Sequence, residues 1–280
     1  MSTYVDEFRG TDDLYAAEVL TDNNEVGEGY ITGTVFKLAP VAEISKTVET
    51  ASETKYYDNV PAFNIDAEGA DTITLNIPAL DLPTLAKITG KIYDNTKGAM
   101  YDGEGKPVYF ALGYRLGLTD GTYRYVWRYK GSFQIPDETS QTKNAGTDSQ
   151  GQTLTYTGVS TIHKFSSATD AQGNAMAQKA LVVDERDMKA DVSSFFSQVT
   201  TCDTLTAKTT YTLSITEDTG TTVTVTRNGV SLADGATLYA GDVITISVTG
   251  GTITVNSTAY TSGNSMTVSA NVAVVSTKSV

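Results

Sequence analysis

The sequence predicts a mainly β protein in two parts, the second of which is a small sandwich of immunoglobulin type. Apolar residues alternate with threonine in segments such as 72–77 and 222–226, and the 280 residues include 24 glycines and 16 tyrosines. Period-two alternation of β-branched residues is typical of half-buried strands. The composition changes near residue 204, which indicates a domain boundary.

Further strands of the first part follow one another along the chain. Residues 108–114 and 123–129 are apolar and aromatic, and the segment Thr119-Asp120-Gly121 between them supplies a turn, so we expect a hairpin. Residues 152–159 continue the alternating pattern.

Two short helices are predicted between or after these strands. Residues 78–89 carry apolar side chains at helical spacing and stop at Gly90. Residues 187–199 place Val192, Phe195, Phe196 and Val199 three and four positions apart, on one face of a helix. We expect both helices to cover sheets.

The boundary divides the chain into domains 1–203 and 204–280. All six prolines precede it, and the second domain is rich in Thr, Ser, Val and Gly. Asn228-Gly229 is a hairpin turn signal in this domain. Its predicted strands are 211–216, 221–227, 243–248, 252–256 and 266–275. Short strands about ten residues apart are typical of a small sandwich.

The chain is acidic, with 33 Asp and Glu against 20 Lys and Arg and a net charge of −13. Residues 206–280 hold four acids and three bases, so nearly all of the excess belongs to the first domain. Tight nucleic-acid binding draws on Lys and Arg, so it is not expected. No stretch approaches 18 consecutive apolar residues, so we expect no membrane helix, and residues 1–10 do not resemble a secretory signal.

The sequence offers little catalytic chemistry. It has one histidine, His163, and one cysteine, Cys202, both of which we interpret as structural residues. No nucleophile motif accompanies His163, and no set of residues has metal-ligand spacing, so we expect no enzyme activity, no metal and no cofactor.

The run 123–130 separates by alternation into two faces. Tyr123, Tyr125, Trp127 and Tyr129 form an aromatic face, while Arg124, Val126, Arg128 and Lys130 form a mixed face. A stacking surface for nucleic acid is one interpretation, but we favour an aromatic face packed in a core or against a neighbour.

Residues 54–165 resemble the major tail proteins of long-tailed, non-contractile bacteriophages, in particular the tail tube family of phages of Gram-positive bacteria. The resemblance begins at 54–59, where Tyr57 departs from the family's Tyr-Ala-Asp-Asn-like element, and continues through 71–77, 80–90 and 108–114. Its most specific part is the strand that includes Arg124, Tyr125, Trp127, Tyr129 and Phe133, and residues 152–156 close it.

The resemblance implies a tail tube sandwich or barrel with a flanking helix, which assembles into hexameric rings. The rings stack into a hollow tube that conducts the genome during ejection, in a virion assembled in the host cytoplasm. Implied partners are other copies of the chain, the tape measure protein, the tail terminator and, transiently, DNA. An acidic lumen would keep the contact with DNA brief. The domain 204–280 corresponds to an immunoglobulin-like decoration.

Residues 42–59 are polar and lack sustained periodicity, so we predict a loop that reaches the next ring. We expect its contacts to come from Lys46, Thr50, Glu53, Lys55, Tyr56, Tyr57, Asp58 and Asn59. The first 30 residues, also acidic and irregular, are expected to make a similar contact.

Two alternatives remain open. The first is the inner tube of a contractile tail, and the second is an adhesive or carbohydrate-binding virion protein. Only Tyr211, Tyr239 and Tyr260 in the second domain offer aromatic platforms for a sugar.

Overall fold

The computed structural model describes residues 7–24, 29–136 and 151–279. The chain divides into two compact units, Met1–Asp187 with Val192–Leu205, and Met188–Asp191 with Thr206–Val280. Residues 188–191 belong to the second unit because their backbone pairs with its start: Lys189 O accepts the N–H of Lys208, and Asp191 N–H donates to Thr206 O. The described residues are mainly β, as predicted.

The first unit contains thirteen strands, one α-helix and one short 3₁₀ helix among its described residues. In chain order these are β1 (Phe8–Asp22), β2 (Tyr30–Thr32), β3 (Phe36–Ala39), β4 (Glu43–Tyr57), β5 (Val60–Ile77), α1 (Leu82–Thr89), β6 (Ile92–Asp94), β7 (Ala99–Tyr101), β8 (Phe110–Leu118), β9 (Tyr123–Phe133), β10 (Gln152–Val159), β11 (Lys164–Thr169), β12 (Ala175–Ala177), β13 (Ala180–Asp184) and the 3₁₀ helix Glu185–Asp187.

One large antiparallel sheet organises this unit. Its strand order is β2-β1-β8-β9-β10-β5-β4, with β13 added to β9 and β3 added to β1. The predicted hairpin is β8–β9, closed by the N–H of Leu118 donating to Thr122 O. The first 30 residues were expected to be irregular, but the fifteen-residue strand β1 pairs with β8 in the interior of this sheet.

Threonine alternation places the apolar side chains of β5 and β10 on the core face. Ile73, Leu75 and Leu154 are fully buried there, and the OH of buried Tyr156 donates to Phe110 O at 2.8 Å. The remaining buried members of this core are Leu14, Ala16, Leu38, Ala39, Ile77, Ile88, Phe110, Leu112, Tyr114, Val126 and Phe133.

The first predicted helix is confirmed as α1, although it begins at Leu82 rather than at residue 78. It ends at Gly90, whose φ of 68° is left-handed and favours glycine. Ala86 and Ile88 are its buried residues, so it covers apolar surface as expected.

The second predicted helix, over residues 187–199, is wrong. Residues 193–199 form successive turns, with the N–H of Phe195 bonded to Val192 O and that of Ser197 to Ser194 O. An α-helix would give Phe195 O to the N–H four residues on. Here that oxygen accepts Trp127 Nε1–H at 2.8 Å and Thr200 Oγ1–H at 2.9 Å. The apolar residues still pack inward, because Phe195 and Val199 are buried.

Gly113 lies directly beneath the indole of Trp127, and we expect Gly113→Ala to destabilise the first unit. A β-carbon at this position would lie 2.8 Å from the ring. Because overpacking of a core costs about 1–3 kcal/mol, we predict a loss of that size in the free energy of unfolding. Urea titration followed by Trp127 fluorescence measures it. Gly103→Ala is the matched control, since a β-carbon there meets nothing within 4 Å.

The second unit is a β-sandwich, as predicted. Its strands are β14 (Thr210–Thr216), β15 (Thr222–Arg227), β16 (Val230–Leu232), β17 (Thr237–Tyr239), β18 (Val243–Thr249), β19 (Gly251–Val255), β20 (Thr258–Tyr260), β21 (Asn264–Thr267) and β22 (Val272–Lys278). The two sheets are ordered β17-β14-β22-β19-β20 and β16-β15-β18-β21. Both contribute to one core, through Leu213 and Val274 on one side and Val225 and Ile246 on the other.

Two sequence predictions for this unit have different outcomes. Asn228 and Gly229 have φ of 51° and 78°, so the predicted hairpin turn is confirmed. The single strand predicted over 266–275 is wrong. The chain leaves one sheet after Thr267 and enters the other at Val272, so β21 and β22 belong to opposite sheets.

Candidate assembly site

The most unusual feature of the first unit is a long β-hairpin that extends past the rest of its sheet. β4 and β5 pair along their whole length, from Glu43↔Asn76 to Tyr57↔Val60. The next strand in the sheet, β10, pairs with β5 only as far as Asp71. Residues 49–69, which we call the arm, therefore form a two-stranded ribbon with no third strand among the described residues.

The prediction of an irregular loop over residues 42–59 is wrong, because most of this segment forms strand β4. Its threonines, tyrosines, Ile44 and Val48 are good strand formers. The strand with which they pair, β5, lies outside residues 42–59, so this segment alone does not show the pairing. Asp58 and Asn59, with φ of 51° and 64°, form the tight turn at the tip. Asx residues accept this conformation more readily than other non-glycine residues.

One face of the arm is polar and carries side-chain hydrogen bonds between its two strands. Residues directly opposite one another in an antiparallel pair share a face, so Thr50, Ser52 and Thr54 lie with Glu68, Asp66 and Asn64. Ser52 Oγ donates to Asp66 Oδ1 and Thr54 Oγ1 to Asn64 Oδ1, both at 2.6 Å, while Asn64 Nδ2 donates to Ser52 Oγ at 2.8 Å. Tyr56 is exposed at the tip of this face, and Glu68 pairs with Lys179 outside the ladder.

The other face is apolar and exposed, and we call it the apolar face. Its apolar members are Ala51, Tyr57, Val60, Phe63, Ile65 and Ala67, and the charged residues Glu53 and Lys55 share this face with them. Tyr57 and Phe63 stack with ring centroids 6.1 Å apart, yet the four large side chains are 47–62% exposed. Lys55 and Glu53, which lie opposite Phe63 and Ile65, pair with each other. Large apolar side chains clustered in solvent are typical of an interaction surface.

A buried ion cluster fixes the arm where it leaves the sheet. The Asp71 side chain is 2% exposed, and its Oδ2 lies 2.7 Å from Arg128 Nη1 and 3.7 Å from Lys46 Nζ. Lys179 Nζ lies 3.7 Å from Asp71 Oδ1, 2.8 Å from Glu68, and also bonds to Gly69 O. Strands β4 and β5 are thereby tied to β9 and to the residue before β13.

A β-bulge lies at the point where the arm leaves the sheet. Val48 pairs with Asp71 but Thr50 pairs with Glu68, so Gly69 and Ala70 lie opposite the single residue Glu49. Such bulges raise the local twist and redirect the strand. A β-carbon at Gly69 would lie 2.7 Å from the Glu49 carboxylate, so the Glu49 side chain would have to move to accept a larger residue.

The predicted stacking residues therefore have different surroundings. Lys46 belongs to the ion cluster, Thr50 and Tyr56 to the polar face, Tyr57 to the apolar face, and Asp58 and Asn59 to the turn. The prediction did not include the second strand of the arm, with Phe63 and Ile65, because residues 42–59 alone do not show which segment pairs with them. It also omitted Asp71, whose partners Arg128 and Lys179 lie far away in the sequence.

The aromatic side chains of β9 are packed inside the first unit. Tyr125, Trp127, Tyr129 and Phe133 are buried, and Arg124 pairs with Asp184 at 2.8 Å. The rings of Tyr125 and Trp127 contact the turns at 195–196, so packing in a core, the favoured interpretation, is confirmed. The opposite face was expected to be mixed, yet Val126 and Arg128 are buried as well. β9 is a central strand covered on both faces.

A second buried ion pair lies at the far end of β1. Asp22 is 2.6 Å from Lys130 Nζ, and it also accepts the N–H groups of Ile162 and His163. Burial alone would raise the pKa of Asp22, but these hydrogen bonds outweigh it, and the pKa is lowered from its ordinary value. The carboxylate therefore stays charged and holds β1, β9 and residues 162–163 together.

The contacts of His163 and Cys202 are those of structural residues. His163 lines a cavity of about 490 Å³ together with Ser197 and Asp203. His163 Nδ1 faces Asn23 O at 3.3 Å, and both Asp203 oxygens accept backbone N–H groups of Ser166 and Ser167. These contacts do not form a Ser-His-Asp relay. Cys202 N–H donates to the OH of Tyr129 at 2.9 Å.

Neither a metal-binding cluster nor a membrane-spanning helix is found within the described ranges. No group of three or more His, Cys, Asp or Glu among residues 7–24, 29–136 and 151–279 could hold a metal ion. None of the helices in this part of the chain is long and apolar enough to cross a bilayer.

Comparison with known proteins does not assign the chain to a family. No protein-family model matches the chain, and a search of curated proteins finds no significant match.

Proposed function

We propose that this chain is the structural subunit of a tail tube in a long-tailed, non-contractile bacteriophage. The observation that carries the proposal is the arm, a two-stranded ribbon with one exposed apolar face. An isolated two-stranded ribbon is marginally stable in water, so it needs a further surface to pack on. A subunit that places its arm against the next subunit supplies that surface.

The rest of the first unit supports the same proposal. A hollow tube needs a rigid β wall, and the unit has one large sheet with central strand β9 buried on both faces. Among the described residues, the outer strands β2 and β4 pair on one side only, and neighbouring subunits in a ring would pair the other side. In this proposal six copies form each ring, and the tape measure protein, the tail terminator and the passing DNA are the other partners.

The adhesive or carbohydrate-binding alternative gains no support from the second unit. Tyr211 and Tyr260 pack against its core, and Tyr239 lies beneath Arg227 with its ring centroid 5.8 Å from the guanidinium carbon. A sugar platform requires an aromatic face open to solvent. In this proposal the unit is a decoration of the tube, as the sequence resemblance implies.

Sedimentation velocity of the purified chain over a range of concentrations tests the proposal. We expect a hexamer and larger multiples of it as the concentration rises. A single species of 29.8 kDa at all concentrations would contradict the proposal.

A further inference from the structure

The side chains of the apolar face are arranged in four cross-strand rows. The row at the base of the arm has two small side chains, and the row at the tip has two large ones. Each central row combines a charged residue on β4 with a large apolar residue on β5. From base to tip, the rows are Ala51↔Ala67, Glu53↔Ile65, Lys55↔Phe63 and Tyr57↔Val60. The two charges are opposite in sign, so the four rows together are neutral.

This order of residues makes the apolar face complementary to itself. Two such faces can pack about a two-fold axis with their strands antiparallel and β4 over β4, as in a face-to-face packing of sheets. The first row of each copy then meets the fourth row of the other, and the second row meets the third. Glu53 faces Lys55 of the second copy, Ile65 faces its Phe63, and the small base faces the bulky tip.

The other two-fold arrangement, with both tips on the same side, fits much less well. It places β4 over β5, so that each row meets itself. Each charged side chain would then lie on the large apolar side chain of its own row, where it would lose water without gaining a partner. Two alanine rows would meet at the base and two bulky rows at the tip, so the sheets could not pack evenly.

The polar face of the arm cannot pair with itself in this way. Its charged residues are both acids, Asp66 and Glu68, so two polar faces would bring like charges together. In the antiparallel arrangement of apolar faces, these acids point away from the second copy. Glu49 and Asp58 are exposed beyond the two ends of the rows, where solvent and salt screen them.

We propose that the unassembled chain is a dimer in which the apolar faces of two arms pack antiparallel on each other. The contact turns two ribbons into two packed layers and covers Phe63 and Ile65, which are 51% and 47% exposed in one copy. An isologous contact closes after two copies, whereas the stacking of rings in one direction needs heterologous contacts. The inference goes beyond the proposed tube function, because the dimer covers the arm before assembly and must open when the arm enters a tube.

Exchange of the two central charges tests the dimer. Glu53→Lys gives a face with two bases, and Lys55→Glu gives a face with two acids. Either variant alone should dimerise at least about tenfold more weakly than the wild type, because like charges would face each other across the contact. An equimolar mixture of the two variants should recover the wild-type affinity, since each base then faces an acid again. Sedimentation velocity, below the concentration at which tubes form, measures the species of twice 29.8 kDa.

Asp66→Lys is the matched control, because it changes an acid to a base on the other face of the same arm and should leave the dimer unchanged. Trp127 fluorescence checks that each variant is folded. A monomeric wild type, single variants that dimerise as well as the wild type, or an equal loss in Asp66→Lys would overturn the proposal. A mixture that dimerises no better than its components would also overturn it.

A linked dimer tests the effect on assembly. In a Cys202→Ser background, a chain with Val60→Cys and Ala67→Cys should be joined to a second copy by a short, reducible bis-thiosulfonate linker, because the first row meets the fourth across packed sheets about 10 Å apart. Linked dimers should form no tubes, and reduction of the linker should restore them. Tubes built from linked dimers would contradict the role of the dimer before assembly. A wild type that dimerises but never forms tubes would refute the tube function alone, whereas tubes from a chain that never dimerises would refute the dimer alone.

Discussion

A chain whose arm is removed is expected to fold and form at most single rings, with no tubes. The change replaces residues 50–68 by an Asn-Gly turn that joins Glu49 to Gly69. Residues 43–48 are kept, because they pair with 71–76 inside the sheet. Tube formation should be lost completely, since the shortened chain lacks Tyr57, Val60, Phe63 and Ile65. Burial of each of these side chains between subunits would stabilise the tube by about 1.5–3 kcal/mol.

Electron microscopy and sedimentation of the shortened chain measure this effect, with Trp127 fluorescence as the check on folding. Ile92→Ser is the control, because it removes an exposed apolar side chain outside the arm and should leave tubes unchanged. Tubes of normal length from the shortened chain would contradict the assignment of the arm as the stacking element.

The second large effect is expected at the ion cluster. Asp71→Ala should lower the free energy of unfolding of the first unit by about 3–5 kcal/mol, because it leaves the buried Arg128 guanidinium without its carboxylate. The double variant Asp71→Ala with Arg128→Met should recover most of that loss, since removing both charges leaves no buried ion unpaired. Lys46 and Lys179, which are more exposed, can turn to solvent.

Urea unfolding followed by Trp127 fluorescence measures both variants. The chain has one tryptophan, which lies in the first unit, so the signal follows that unit. Glu68→Ala is the control, because it also removes a carboxylate partner of Lys179, but one that is well exposed, so the free energy of unfolding should stay close to that of the wild type. A single variant as stable as the wild type, or a double variant no more stable than the single one, would contradict the role given to Asp71.

Local patterns in the sequence predicted most of the strands and turns. Residues 152–159 were predicted as a strand from alternation, and β10 has the same bounds. Gly90 and Asn228-Gly229 were predicted as a helix end and a turn, because their backbone conformations depend on the residues themselves. Such features depend on residues that are neighbours in the chain, so they can be recognised in a single sequence.

Features that depend on distant partners were not predicted. The segment 42–59 was interpreted as a loop because its strand character depends on pairing with β5. The segment 187–199 has helical spacing, but Trp127, far away in sequence, takes the carbonyl that a helix would use. Asp71 finds its partners at Arg128 and Lys179, and no local pattern connects these three residues.

The most direct test of the central claim is a three-dimensional electron microscopy reconstruction of the assembled full-length chain. The proposal predicts six copies in each ring, with residues 49–69 of every copy crossing into the neighbouring ring. Rings of another number, or an arm folded back on its own subunit, would contradict it.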